Sequence, residues 1–200
     1  MKLRQLKDSA DRLDVTRLSI ISGPNRGAEW LNAVPMKSCG LALNNEEMRI
    51  NVGLRLGAKL MREHPCKFCG ATVNQSGEHA LSCRSSKGRF HRHSECNDII
   101  ARALNTAKYS ASLEPSNLLR SDGRRPDGVT RSPWARGRCL VWDFTCVDSL
   151  APSRIMKPSC AATEAETRKM TKYQLLNQTY EFTPVASCTL GSWSEKNKNS

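Results

Sequence analysis

Along the chain, apolar and polar positions change period several times, and each change marks an element. Met48, Val52, Leu56 and Leu60 recur at helical spacing, after Asn45 as an N-cap and Glu46 and Glu47 in a first turn. Met48, Ile50, Val52, Leu54 and Leu56 also alternate as a strand would, but the cap and the length decide for a helix. Cys96, Ile99, Ile100, Ala103, Leu104 and Ala107 predict a second helix over 90–107. "RCLVWDFTCVD" (138–148) is rich in Val, Trp, Phe and Thr and predicts the best strand. Residues 161–177 read as a helix with Glu164 and Glu166 early and Lys169 and Lys172 late, as the helix dipole favours. "YEFTPVASCTL" (180–190) predicts a last strand, which Pro184 keeps near an edge.

Between these lie segments without period. Residues 1–25 are mixed and polar, and "ISGPNRGAEW" (21–30) reads as a turn leading to Trp30. Residues 113–128 and 151–160 carry the Pro, Ser, Asp and Gly clusters of loops, and "SEKNKNS" reads as a disordered tail. After residue 84 the order is helix, strand, strand, helix, strand, which predicts an α/β or α+β domain.

Composition narrows the setting. The chain has 200 residues, room for one domain and a small module. Its mean hydropathy is −0.53, and no apolar run reaches the roughly 18 residues a membrane span needs. The N-terminus has no secretory core, so the expected location is nuclear or cytoplasmic, not secreted. In a reducing compartment the nine cysteines read as metal ligands or buried small hydrophobes rather than disulfides. The net charge is +12, and from Arg84 to Arg138 twelve Lys or Arg face five acids, which suits a polyanionic partner, nucleic acid before membrane.

Two constellations carry chemistry. In "CKFCGATVNQSGEHALSC", Cys66 and Cys69 are separated by two residues and followed by Gly70, while His79 and Cys83 lie one helical turn apart. Four such ligands close a tetrahedral structural Zn²⁺ site. The segment holds too few apolar residues to fold without such a staple. Cys39, Cys96, Cys139, Cys146, Cys160 and Cys188 show no pairing pattern and read as core fillers.

The second constellation is a pair of acids. Asp127 follows Pro126, and Asp143 interrupts an apolar strand, where a carboxylate without a partner costs several kcal/mol. Asp127 alone would be an ordinary turn residue in "RPDG". If "TRSPWARGR" (130–138) is a hairpin loop, the two acids meet as Mg²⁺ ligands of a phosphodiester-cleaving site. Arg124 and Arg125, beside Asp127, are candidate phosphate contacts.

"RPDG…VWDFTCVDS", preceded by the Cys-Cys-His-Cys knot and by "RFHRHSECNDII", resembles the C-terminal region of a non-LTR retrotransposon polyprotein. In that lineage a zinc knuckle and a restriction-like endonuclease of the PD-(D/E)xK kind follow the reverse transcriptase. The likeness covers residues 25–193, and "SGPNRGAEWLNAVP" and "NNEEMRINVGLRLG" resemble the linker between polymerase and knuckle. The resemblance implies an α/β fold with a restriction-endonuclease-like mixed sheet flanked by helices, preceded by a small zinc knuckle and a helical linker. Its domains would be a 1–63 linker, a 64–84 CCHC knuckle, an 85–193 endonuclease and a 194–200 tail.

The resemblance makes Asp127 and Asp143 the Mg²⁺-binding acids. In many such enzymes a Lys lies two residues after the second acid, where this chain has Thr145. It points instead to the helix "ETRKMTKY", where Lys169, Lys172 and Tyr173 share a face and Lys169 is the first choice for the catalytic lysine. "RFHRHSE" resembles the family's basic-His-acid/amide motif through Arg92 and His93, with Ser94 where Asp or Asn is expected, and implies nucleic-acid contact by both matching residues. The implied activity is Mg²⁺-dependent nicking of DNA to leave a 3′ hydroxyl that primes reverse transcription, with DNA and element RNA as partners. The alternative is a zinc-knuckle nucleic-acid-binding module in which the nuclease half has decayed.

Overall fold

The computed structural model describes residues 12–23, 27–118, 125–151, 154–155 and 161–194, the side chains of Cys39 and Asn117 excepted. Most of the 151–160 loop, Cys160 and Arg124, and the expected tail after Ser194 lie outside these residues, and Ser194 itself is buried rather than part of a disordered tail. The described chain forms two compact units, one drawn from 1–89, 147–162 and 187–200, the other from 90–146 and 163–186. Among the described residues no helix is long and apolar enough to cross a membrane.

The first unit contains helix α1 (Arg12–Ser22), within the stretch expected only to be mixed and polar, and helix α2 (Asn45–Leu56). Its apolar centre joins Ile20 of α1 to Leu150, Cys188 and Leu190, with Leu13 against them. Arg17 is buried on α1 and ion-paired with Asp14 and Glu78. The N-cap of α2 is Asn44, one residue earlier than expected. A capping box explains the shift: the Asn44 carboxamide accepts the Glu47 N–H, and the Glu47 carboxylate accepts the Asn44 N–H. Capping from Asn45 would put Met48 at the third position, which has no carboxylate to return. The expected apolar face is also displaced, since Met48 and Leu56 are exposed while Gly53 is buried against Leu60. A short hairpin, β1 (His64–Pro65) with β2 (Thr72–Val73), then leads to one helical turn, α3 (His79–Ser82).

The second unit is built on a four-stranded sheet of β3 (Ala111–Leu113), β4 (Gly128–Ala135), β5 (Arg138–Val147) and β6 (Glu181–Cys188), in that spatial order. The first three strands pair antiparallel. β5 and β6 run the same way: Arg138 meets Glu181 at their starts, and the Thr189 N–H donates to the Val147 carbonyl at their ends. The sheet is therefore mixed, and β6, with Pro184, is an edge strand as expected.

Helices flank the sheet. Val141 and Trp142 are consecutive on β5 and so point to opposite faces. Trp142 and Leu140 pack with Ala101 and Leu104 of helix α4 (Gly88–Thr106). Val141 packs with Phe182 and with Tyr173, just past helix α5 (Ala161–Lys172). The expected 161–177 helix ends as α-helix at Lys172 and continues as a 3-10 segment over Gln174–Gln178. The buried stripe of α4 is Asn97, Ala101 and Leu104; of the expected Cys96, Ile99, Ile100, Ala103, Leu104 and Ala107, Leu104 is buried and Ile100 packs partly buried against the core, whereas Ile99, Ala103 and Ala107 are exposed.

The expected hairpin loop over 130–138 is mostly strand. The turn is only Arg136 and Gly137, both at positive φ (53° and 73°), as a tight two-residue connection requires. Pro133 cannot donate to the ladder, and the register shifts on both sides of it. The Thr130 hydroxyl fills the gap, accepting the Leu140 N–H and donating to the Ser132 carbonyl. Cys188 is buried, whereas Cys96, Cys139 and Cys146 are only half-buried and fill no core.

Candidate functional site

In the first unit Cys66, Cys69, His79 and Cys83 converge, with one ligand atom from each lying within 4.8 Å of the others. Among the described residues no other set of three or more His, Cys, Asp or Glu meets that criterion. The β1–β2 hairpin supplies the first pair of ligands, and Gly70 turns the chain at a φ of 74° with its N–H on the Cys66 carbonyl. α3 supplies His79 from its first residue and Cys83 from its C-cap. The Cys69–Cys83 and Cys66–Cys83 sulfurs lie 3.7 and 3.9 Å apart, and Cys69 Sγ lies 3.2 Å from His79 Nε2. Ligands at Zn²⁺ bond lengths in a tetrahedron are about 3.5–3.8 Å apart, so the set fits that ion. The Phe68 and Cys69 N–H groups draw the Cys66 thiol down to about 6, toward the thiolate a metal needs.

In the second unit Gly128 pairs with Trp142, and Asp127 and Asp143 are the next residues of the two chains, with the Asp127 N–H donating to the Trp142 carbonyl at 3.0 Å. That pairing needs a residue without a side chain: a Cβ at Gly128 would lie 2.0 Å from the Trp142 ring. Asp143 is 3% exposed. Its Oδ1 accepts from the Tyr173 hydroxyl at 2.9 Å, and its Oδ2 forms an ion pair with Lys169 but receives no well-directed hydrogen bond. The Tyr173 hydroxyl also lies 2.9 Å from the Arg125 carbonyl and 2.7 Å from Lys172 Nζ, which donates to it.

Asp127 is held differently. Its Oδ2 accepts the Phe144 N–H at 2.7 Å and faces His93 Nε2 at 3.1 Å. Burial raises its pKa, but His93, the Phe144 N–H and Asn97 outweigh burial and leave it below the usual carboxylate value. His93 is correspondingly raised, mainly by its hydrogen bond to Asp127 against the opposing effect of burial, with a smaller contribution from the Asp143 charge.

A chain of donors aims His93. The Trp142 indole N–H can only donate, and it donates to Asn97 Oδ1 at 3.1 Å. The Asn97 amide nitrogen therefore faces His93 Nδ1, at 3.2 Å, and the neutral ring presents its Nε2–H to Asp127.

The structure thus joins Asp143 to Lys169 and Tyr173, with Lys172 one contact removed through the Tyr173 hydroxyl, and joins Asp127 to His93. Arg125 is engaged by Glu114 at 2.5 Å, and Arg92 precedes His93 on α4. Asn97 and Trp142 were not among the expected site residues. The signal for Asn97 was its spacing of four from His93 and from Ala101, which puts it on the buried stripe.

The donor set suits a hard cation. Asp143 carries a buried oxygen with the Lys169 ammonium but no directed hydrogen bond on it, and carboxylate oxygens are the kind of ligand Mg²⁺ takes. No family model matches this chain, and neither does any curated protein.

Proposed function

We propose that the chain is a metal-dependent DNA endonuclease whose reacting centre comprises Asp127, Asp143 and Lys169. The observation that carries this reading is the buried Asp143 carboxylate, with a lysine ammonium on the one oxygen that lacks a directed hydrogen bond. Asp127 and Asp143 would hold Mg²⁺, which when bound supplies positive charge against phosphate oxygens. Tyr173 orients Asp143 through its hydroxyl, and the Phe144 N–H and His93 orient Asp127. Lys169 offers a cation, 23% exposed, to the negative charge that grows on phosphate during attack. The +12 net charge favours the polyanion as substrate.

The resemblance to the retrotransposon region extends the reading. The nick would leave a 3′ hydroxyl to prime reverse transcription, and the Cys₃His hairpin would be a structural zinc knuckle that helps hold DNA or element RNA.

One observation favours a second reading, nucleic-acid binding without cleavage: the Lys169 ammonium is itself a counter-charge for Asp143. Nicking of supercoiled plasmid in Mg²⁺, followed by extension of the nicked strand with a DNA polymerase, separates the two. Extendable nicks that vanish in EDTA support the nuclease. Binding of plasmid with no nick at any Mg²⁺ concentration supports the second reading.

A further inference from the structure

At the end of the second unit's sheet, an aromatic pair has two basic residues close to it along the chain. Tyr109, just beyond α4, packs against Trp134 near the end of β4, with ring centroids 4.7 Å apart. Trp134 is braced by that ring and by the β-ladder, yet 39% of it remains exposed. Lys108 adjoins Tyr109 in the chain and Arg136 follows Trp134 by two residues, and both are exposed. No described acid forms an ion pair with either. Arg138 and Arg125, by contrast, are engaged by Glu181 and Glu114.

The backbone supplies an independent observation. Among the described residues, non-glycine positive φ occurs only at Lys108 (65°), Glu114 (46°) and Arg136 (53°). Two of these three flank the aromatic pair. Gly, Asn or Asp adopts that conformation with less strain, and Asn-Gly is the preferred pair for a turn like Arg136–Gly137. Basic side chains therefore stand where local geometry favours other residues, a pattern that points to function.

We infer that the β4–β5 hairpin tip, with the end of α4, is a docking surface for single-stranded nucleic acid. Trp134 is the platform on which an unpaired base stacks, and Lys108 and Arg136 meet the flanking phosphates. An indole face needs the open face of a base, which a stacked duplex does not offer. The tip lies seven residues along β4 from Asp127, roughly 20 Å at strand rise, so one strand of modest length reaches both. The inference rests on a nucleic-acid partner but not on cleavage.

The test is fluorescence anisotropy with a labelled fifteen-nucleotide oligo(dT), and a blunt duplex of equal length, in EDTA. Trp134→Ala should weaken oligo(dT) binding about 5- to 100-fold while leaving duplex binding within about twofold. Arg136→Asn should weaken binding and lower the salt slope by about 0.7, while the melting temperature holds or rises because Asn suits the turn. Oligo(dT) affinity unchanged in Trp134→Ala, or an equal loss on duplex, overturns the inference. So does a fall in both stability and binding in Arg136→Asn, which would make the effect one of folding. An intact chain that binds neither probe overturns both this inference and the nuclease reading. One that binds but never nicks overturns only the latter.

Discussion

Replacing Lys169 by Met removes the ammonium and keeps most of the aliphatic stem. Asp143 is then left 3% exposed, with Tyr173 on Oδ1 and no cation on Oδ2. Breaking a buried ion pair from one side costs about 3–5 kcal/mol. The Lys169 side chain is 23% exposed, so water reaches the pair and about 2 kcal/mol is the appropriate figure. For a chain of this length that lowers Tm by roughly 4–8 °C. Asp143→Asn in the same background removes the stranded charge and should recover most of the loss, a coupling a double-mutant cycle measures by thermal melting. Mg²⁺ should stabilise Lys169→Met more than the intact chain, because the cation it replaces has gone. Equal stability of Lys169→Met and the intact chain, or additive effects in the cycle, would refute the pairing of Lys169 with Asp143.

Other outcomes follow from the same geometry. His93 should titrate above an ordinary imidazole by NMR, and Asp127→Asn should bring it back down. Because the folded value is raised, the His93 contribution to stability is fully present below about pH 6.5 and fades as pH rises through the elevated value. Asp127 is depressed, so its contribution is present above the ordinary carboxylate value and is lost as pH falls through the lowered one. Metal analysis should find one Zn²⁺ per chain, and Cys69→Ala should lose it, because three ligands leave the tetrahedron open. Gly128→Ala should cost about 1–3 kcal/mol and shift tryptophan fluorescence, since its Cβ would collide with the buried Trp142 ring.

The parts of this arrangement that could be read from the sequence are those whose chemistry is local or whose cost is high. The Cys66–Cys83 spacing is short enough that one hairpin and one helical turn bring the ligands together. Asp143 stood out because a carboxylate inside "LVWDFTCV" needs a partner, and α5 and the residue just after it supply Lys169 and Tyr173. Asn97 was hidden because α4 buries a stripe rotated from its most apolar one. A polar residue on that stripe becomes legible only once Trp142 is seen to need an acceptor. Residues 130–138 misled because Pro133 and Gly137 both read as turn residues. In the fold Pro133 sits at an irregular point of the ladder where the Thr130 hydroxyl substitutes for a backbone group, and only Gly137 turns the chain. α1 escaped because its buried residues include Thr16 and Arg17, whose partners lie far along the chain in Ile155 and Glu78.

The most direct measurement compares plasmid nicking by the intact chain and by Asp143→Asn in Mg²⁺, after circular dichroism establishes that both are folded. Asn keeps the shape and can still accept from Tyr173, but it removes the charge that would hold the metal. The account predicts Mg²⁺-dependent nicks from the intact chain and none above background from Asp143→Asn. Nicking by the folded variant at the intact chain's rate would contradict it.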